Sequence, residues 1–142
     1  MIAVSLFCCA HLAGLTAPAA AEQAPPITGE SATLLAVIAS DDATAFNKAK
    51  ACQALAAAGD ESAVPALAAL LDDPQLAPYA RYALEPMPYA SVDDALREAL
   101  GRLNGPALSG VIGSIGIRQD KAAVARLIQL LDADDTAVAR AA

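Results

Sequence analysis

Aromatic residues are scarce in this sequence, at 4% of 142 residues, although 56% of the residues are hydrophobic. Alanine and leucine supply most of that hydrophobic content. A β-sheet favours β-branched and aromatic side chains, whereas alanine has the highest helix propensity and lets helices approach closely. The composition therefore predicts an all-α protein without a sheet.

Histidine and cysteine are also rare, and their positions exclude several kinds of active site. His11 is the only histidine, and Cys8, Cys9 and Cys52 are the only cysteines. His11, Cys8 and Cys9 fall in a predicted signal segment. Without His11, the mature chain would have no imidazole for a nucleophile pair or a zinc site. Cys52 alone cannot build a disulfide framework, and we interpret it as a buried helix residue rather than a reactive thiol.

Basic residues neither outnumber acidic residues nor form clusters. The chain has 9 Lys and Arg residues against 16 Asp and Glu residues, which gives a formal net charge of −7. Binding to a phosphate backbone depends on clustered cations, so the sequence argues against nucleic acid as a partner.

Motifs that hold cofactors or metal ions are absent as well. There is no glycine-rich phosphate loop and no haem-attachment sequence. Pairs of aspartates do recur in the predicted turns, at 41–42, 72–73, 93–94 and 134–135. They lack the alternating ligands and central glycine of a calcium loop, and adjacent carboxylates on a helix do not face each other for acid–base catalysis. We interpret them as helix caps and expect no cofactor, no metal site and no catalytic residue.

The first 21 residues are apolar and end in Ala19-Ala20-Ala21 before Glu22. This small-x-small ending predicts a secretory signal peptide, residues 1–21, followed by a polar, proline-rich linker, residues 22–30. The segment has no Lys or Arg at its start, which favours a true signal that begins before Met1. Its length approaches that of a bilayer-spanning helix, so an uncleaved membrane anchor is the alternative. Cleavage predicts export to the periplasm or the extracellular space, and membrane contact would come only from an uncleaved signal.

Residues 31–142 show helical periodicity and an internal repeat. Polar turns divide them into eight predicted helices, near 31–40, 43–58, 61–71, 75–85, 91–101, 106–117, 120–131 and from 135 onward. The segment from Asp60 to Asp72 matches the segment from Asp120 to Asp132, with Ala-Val, Leu and Leu-Leu-Asp in the same places. These two segments are 60 residues apart, and a shift of half that distance aligns further segments with them. The period is therefore about 30 residues, or two short helices. A unit this small must stack on its neighbours to bury its apolar face.

The segment from Ala54 to Leu71, with Gly59-Asp60 and Ala63-Val64-Pro65-Ala66-Leu67, resembles the short HEAT-like repeats of phycobilisome lyases, and the segment from Ile112 to Leu131 is similar. The resemblance implies a right-handed α-solenoid of about four antiparallel two-helix repeats. Because the last unit stops at Ala142 within its closing helix and has no polar cap, we expect the natural chain to continue.

Proteins with such repeats include chromophore lyases, adaptors, scaffolds and large exported bacterial proteins, and this chain resembles the exported type. The resemblance implies a non-catalytic domain of the cell envelope that binds a protein or peptide partner, or another domain of the same polypeptide. The alternative is a repeat domain that regulates or supports an enzyme whose catalytic part lies outside this chain.

Three tyrosines flank a Pro-Met-Pro sequence and mark a candidate contact with a partner. Tyr79, Tyr82, Met87 and Tyr89 are of types that are enriched at binding surfaces. Their alternative role is to fill the space where two prolines bend the chain.

Basic residues recur on the second helix of the units. Lys50, Arg81 and Arg140 each stand two positions before a small residue. We expect them to pair with turn aspartates, Asp72 or Asp73 in the case of Arg81, and so to join successive units in an ion-pair ladder. The alternative is an outward row of cations that receives an acidic partner.

Apolar periodicity predicts the core, and glycine spacing predicts a helix contact. Gly110, Gly113 and Gly116 fall at a spacing of three along one predicted helix. We interpret them as a close helix contact, with the approach of a ligand as the alternative. The predicted core positions are Leu34, Ile38, Leu55, Leu67, Leu70, Leu71, Leu84, Leu96, Leu100, Ile112, Leu127 and Leu131.

Overall fold

The computed structural model describes residues 30–142, and the regular secondary structure in that range is all helical, without a β-strand. Its eight α-helices are α1 (Ser31–Ala39), α2 (Ala45–Ala58), α3 (Val64–Ala69), α4 (Ala77–Leu84), α5 (Ala90–Arg102), α6 (Gly105–Arg118), α7 (Val124–Leu130) and α8 (Thr136–Ala141). Short 3₁₀ turns precede α3 (Glu61–Ala63), follow α3 (Leu70–Asp72) and precede α7 (Lys121–Ala123). The predicted all-α fold is confirmed, and the eight predicted helices correspond to these elements. The predicted signal, residues 1–21, and the linker up to residue 29 lie outside the described residues.

Aspartates 60 residues apart in the sequence begin two equivalent helical segments. Asp60 accepts a hydrogen bond from the backbone N–H of Ser62 at 2.9 Å, and Asp120 accepts one from the backbone N–H of Ala122 at 3.0 Å. Each carboxylate satisfies an amide that has no partner in the first turn of a helix. The same local chemistry therefore starts the segment before α3 and the segment before α7.

The paired aspartates have two different roles. Asp73 accepts hydrogen bonds from the backbone N–H groups two and three residues after it, at 2.8 and 3.0 Å, and Asp135 is the N-cap of α8. Asp93 and Asp94 lie inside α5, where both pair with arginines. The capping interpretation is confirmed for Asp73 and Asp135 and is wrong for Asp93 and Asp94.

The helices pack as two rows with the core between them. In one row α1 contacts α3 and α3 contacts α5, and in the other α2, α4, α6 and α8 contact one another in that order. The two helices of each of the pairs α1–α2, α3–α4 and α5–α6 pack against each other. Buried aliphatic side chains from both rows form one hydrophobic cluster. Within each row, neighbours in space are two helices apart in the sequence.

The core agrees with most of the predicted positions. Nine of the twelve predicted residues are buried, and Leu70 and Leu127 are partly buried against the core. The prediction is wrong for Leu131, which is 54% exposed, although Leu71 at the matching position of an earlier unit is fully buried. The physical reason is that the 3₁₀ turn that contains Leu71 packs against α4 and α6, whereas α7, which Leu131 follows, packs mainly against the turn that precedes it.

The glycines of α6 do not make the close helix contact that their spacing predicts. A Cβ atom added at Gly113 or Gly116 would meet no other atom within 4 Å, so both face open space. A Cβ added at Gly110 would meet the guanidinium of Arg81, which is the flexible end of a side chain rather than a helix backbone. The contact at Gly110 is therefore with a side chain, and the predicted helix contact at Gly113 and Gly116 is wrong.

Candidate binding groove

An open groove of about 830 Å³ runs between α3 and α5. One wall is α3 with the turns on either side of it, and the other wall is one face of α5. Two hydrogen bonds join positions that are 30 residues apart: Ser91 donates to Glu61 at 2.8 Å, and Arg102 donates to Asp72 at 3.2 Å. Residues that are 30 positions apart in the sequence therefore face each other across the groove.

Short apolar side chains line the groove between its polar edges. Pro65, Ala68 and Ala69 come from α3, and Ala95 comes from α5. An alanine side chain ends at its Cβ atom, so these positions leave open space that longer side chains would fill. Pro65 lies in the first turn of α3, where its missing N–H costs no helix hydrogen bond. The floor is therefore apolar and has no side-chain hydrogen-bonding group.

The rim of the groove is predominantly acidic. Its charged residues are four acids, Glu61, Asp72, Asp94 and Glu98, and one base, Arg102. Asp72 pairs with Arg102, and Asp94 pairs with an arginine one turn further along α5. Among residues 30–142, Glu61 and Glu98 have no cationic partner. The groove therefore presents two carboxylates whose charge is not neutralised within the described part of the chain.

Arg102 connects the two walls at one end of the groove. Its guanidinium donates to Asp72 and, at 2.8 Å, to the backbone carbonyl of Ala68. The side chains of Arg102 and Asp72 are 36% and 62% exposed, so water screens the ion pair and its contribution to stability is about 0–1 kcal/mol. The main role of the pair is therefore to hold the two walls together at this end of the groove, and its contribution to the stability of the fold is small.

Two other arginines join neighbouring helices outside the groove. Arg97 of α5 pairs with both Asp94 and Asp120, and the Asp120 carboxylate holds the pKa of the Arg97 guanidinium above its ordinary value. Arg118, at the end of α6, pairs with Asp93 at 2.5 Å with only 10% of its side chain exposed. It also donates to the backbone carbonyl oxygens of Leu84, Glu85, Met87 and Tyr89. Arg118 therefore holds the α4–α5 connection against α6.

The predicted ion-pair ladder through Lys50, Arg81 and Arg140 does not form among residues 30–142. Asp72 pairs with Arg102 instead of Arg81, and Asp73 caps the segment before α4. Arg81 lies in the last turn of the eight-residue helix α4, at the end away from the aspartates that precede that helix. Its guanidinium lies against Gly110 of α6 instead.

The other two predicted ladder cations make no ion pair within residues 30–142. Lys50 lies over the ring of Phe46, with its Nζ 5.6 Å from the ring centroid. Arg140 of α8 is exposed. The signal that would have found the observed pair is present in the sequence, because Asp72 and Arg102 are separated by one repeat period.

The tyrosines predicted to contact a partner divide into exposed and packed residues. Tyr82 is 58% exposed and Tyr79 is 37% exposed. Tyr89 is packed against the core, and Met87 is 3% exposed. The surface role predicted for Met87 is wrong because its methyl group lies in the space left by the missing side chain of Gly59, where a Cβ would come within 2.5 Å of Met87 Cε.

A smaller cavity at the second row of helices contains Tyr82. It is lined by residues of α2, by Tyr82 and the segment that follows it, and by Ile117 of α6. Ile117 is 66% exposed, so the cavity is bordered by two large side chains that are open to water. Its lining is mostly apolar and includes one carboxylate, Glu85, whereas four carboxylates border the groove between α3 and α5.

The described residues offer little reactive chemistry. Cys52 is fully buried, as predicted, and burial raises the pKa of its thiol to about 11. A thiol with that pKa is protonated at neutral pH and is a weak nucleophile. Within residues 30–142, no group of three or more His, Cys, Asp or Glu side chains is placed to hold a metal ion. No helix in the same range is long and apolar enough to cross a bilayer.

Comparison with known proteins does not identify the chain. It shows no significant match to a protein-family model, to a curated protein or to a solved structure.

Proposed function

We propose that residues 31–142 form an α-solenoid of about four HEAT-like repeats and serve as a non-catalytic, protein-binding or scaffolding domain. The order of helix contacts in the two rows supports the solenoid, because each two-helix unit meets the next. The contacts of Glu61 with Ser91 and of Asp72 with Arg102 support it further, since both join residues one period apart. Stacked repeats bring equivalent positions side by side in this way.

The observation that carries the binding function is the open groove between α3 and α5. Protein interfaces have an apolar centre and a polar rim, and the groove combines an alanine and proline floor with charged edges. The floor would accept apolar side chains of a partner, and the charged edges would orient it. Both walls are helices that are held by the core, so the surface is formed before a partner arrives.

We also propose that the domain acts in the bacterial cell envelope, in the periplasm or outside the cell. The small-x-small ending of residues 1–21 supports this location. Mass spectrometry of the protein from an exporting bacterial host is expected to show cleavage after Ala21. A cytoplasmic protein that retains Met1 would contradict the proposal.

The binding function can be tested by filling the groove. Peptides selected from a displayed random library on the purified protein would be measured against two variants, Ala69→Trp and Ala36→Trp. Ala69 is exposed and lines the groove, whereas Ala36 is an exposed alanine on α1 outside it. We expect the first variant to weaken binding at least about tenfold, which corresponds to about 1.4 kcal/mol, and the control to bind normally.

Circular dichroism would establish that both variants keep the helical fold. Selected peptides that bind Ala69→Trp as well as they bind the unmodified protein would show that the groove is not the binding surface.

A further inference from the structure

We infer that the groove between α3 and α5 binds a basic segment of a partner protein, in which two cationic side chains are separated by two small aliphatic residues. The inference rests on the proposed function and adds the chemistry of the partner. It follows from the two carboxylates that have no cationic partner among residues 30–142, Glu61 and Glu98, and from the apolar side chains that line the same groove.

Charge complementarity identifies the occupant as basic. Four carboxylates and one guanidinium border the groove, and the guanidinium of Arg102 is already paired with Asp72. An acidic segment would meet repulsion from Glu61 and Glu98, and a cationic segment would be attracted to both. The formal charge of −7 on the whole chain acts in the same direction at longer range.

The spacing of the two carboxylates defines the spacing of the cations. Glu61 accepts a hydrogen bond from Ser91, so it lies level with Ser91 of α5. Glu98 is seven residues further along the same helix, which is roughly 10 Å at 1.5 Å per residue. In an extended chain, residues i and i+3 are also roughly 10 Å apart and point to opposite sides. Glu61 and Glu98 stand on opposite walls, so a Lys-x-x-Lys segment places one cation near each.

The floor restricts the residues between the cations. Pro65, Ala68 and Ala95 line the same groove as the two carboxylates and have no side-chain hydrogen-bonding group. A polar side chain that packs against these three residues would lose its water without gaining a hydrogen-bond partner from them, which is unfavourable. Small aliphatic residues such as alanine and valine avoid this cost, so the segment that fits best is Lys-Ala-Val-Lys or a close variant of it.

Fluorescence anisotropy with labelled peptides and the full-length protein tests the inference. The probe contains a central Lys-Ala-Val-Lys, and two control peptides contain Glu-Ala-Val-Glu or the rearranged Lys-Lys-Ala-Val. Binding would be measured in roughly 0.05 M and roughly 0.5 M NaCl, between which the screening length falls severalfold. We expect the probe to bind at low salt, the acidic peptide not to bind, and the rearranged peptide to bind roughly threefold more weakly.

A matched pair of double variants assigns the effect to the two carboxylates. Glu61→Gln with Glu98→Gln removes both charges from the groove, and Asp41→Asn with Asp42→Asn removes the same charge from exposed positions outside it. We expect the first to raise the Kd of the probe roughly fivefold to tenfold and the second to change it less than about twofold. All four residues are exposed, so both proteins should fold normally.

The outcomes distinguish two hypotheses: that the partner is basic, and that the groove is the binding surface. Equal binding of the basic and acidic peptides, with both lost in Ala69→Trp, would overturn the inference and leave the proposed binding groove intact. Binding that neither Ala69→Trp nor the Glu61 and Glu98 double variant weakens would overturn both. A basic probe that does not bind at low salt would overturn the inference.

Discussion

Replacing Arg118 with methionine is expected to lower the free energy of unfolding by about 3 kcal/mol. The side chain of Arg118 is 10% exposed, and that of its partner Asp93 is 28% exposed. Removing one member of a buried pair costs about 3–5 kcal/mol, because the other charge remains without a partner. The partial exposure of Asp93 places the expected loss at the lower end of that range. Several backbone carbonyls of the α4–α5 connection also lose their donor.

Two other arginines provide matched controls for this substitution. Arg102→Met removes an exposed pair with Asp72 and is expected to cost about 0–1 kcal/mol. Arg81→Met removes a side chain that has no ion pair among residues 30–142 and is expected to cost less than about 1 kcal/mol. The three substitutions remove the same charge, so burial and pairing account for the difference among them.

Urea denaturation followed by circular dichroism measures these free energies, and a thermal melt provides an independent check. A loss of about 3 kcal/mol should lower the melting temperature by roughly 10 °C in a domain of this size. A double-mutant cycle with Asp93→Asn isolates the coupling between the two side chains. A loss below about 1 kcal/mol for Arg118→Met, or an equal loss for Arg81→Met, would refute this assignment and favour a ladder through Arg81.

Burial, thiol chemistry and capping lead to three further predictions. In urea denaturation, Leu71→Ala should lower the free energy of unfolding by about 2–5 kcal/mol, and Leu131→Ala should lower it by less than about 1 kcal/mol. The reason is that Leu71 is fully buried and Leu131 is 54% exposed. Equal losses in the two variants would contradict this difference. Cys52, with its pKa raised to about 11 by burial, should react with a thiol reagent at pH 8 only after denaturation, and rapid reaction of the native protein would be inconsistent with its burial. Hydrogen bonds from Ser62 hold the pKa of Asp60 below its ordinary value. The ionised carboxylate therefore adds stability above its unfolded pKa, and this stability is lost as the pH falls through its folded pKa. When the free energy of unfolding is measured against decreasing pH, Asp60→Asn should lose less stability than the unmodified protein, and an identical pH profile would contradict the capping role.

The sequence by itself determined the helices, some of their caps and most of the core. Helix formation depends on residues within about four positions, so alanine-rich segments bounded by polar turns could be located without knowledge of the fold. Asp60 and Asp120 cap equivalent segments because a carboxylate reaches an amide only two residues away. Leu67 and Leu71 are buried at the spacing that one face of a helical segment requires.

The tertiary structure alone decided which groups meet across the helices. Arg81 and Arg102 both lie on helices that pack against α3, but only Arg102 reaches Asp72 and pairs with that carboxylate. Met87 entered the core because a glycine in another helix segment left space for its methyl group. Leu131 remained exposed and Leu71 became buried because the turn that holds Leu71 packs against α4 and α6, whereas α7 packs mainly against the turn that precedes it. The groove likewise depends on the distance between two helices, and the period of a sequence pattern does not specify that distance or the directions of side chains on neighbouring helices.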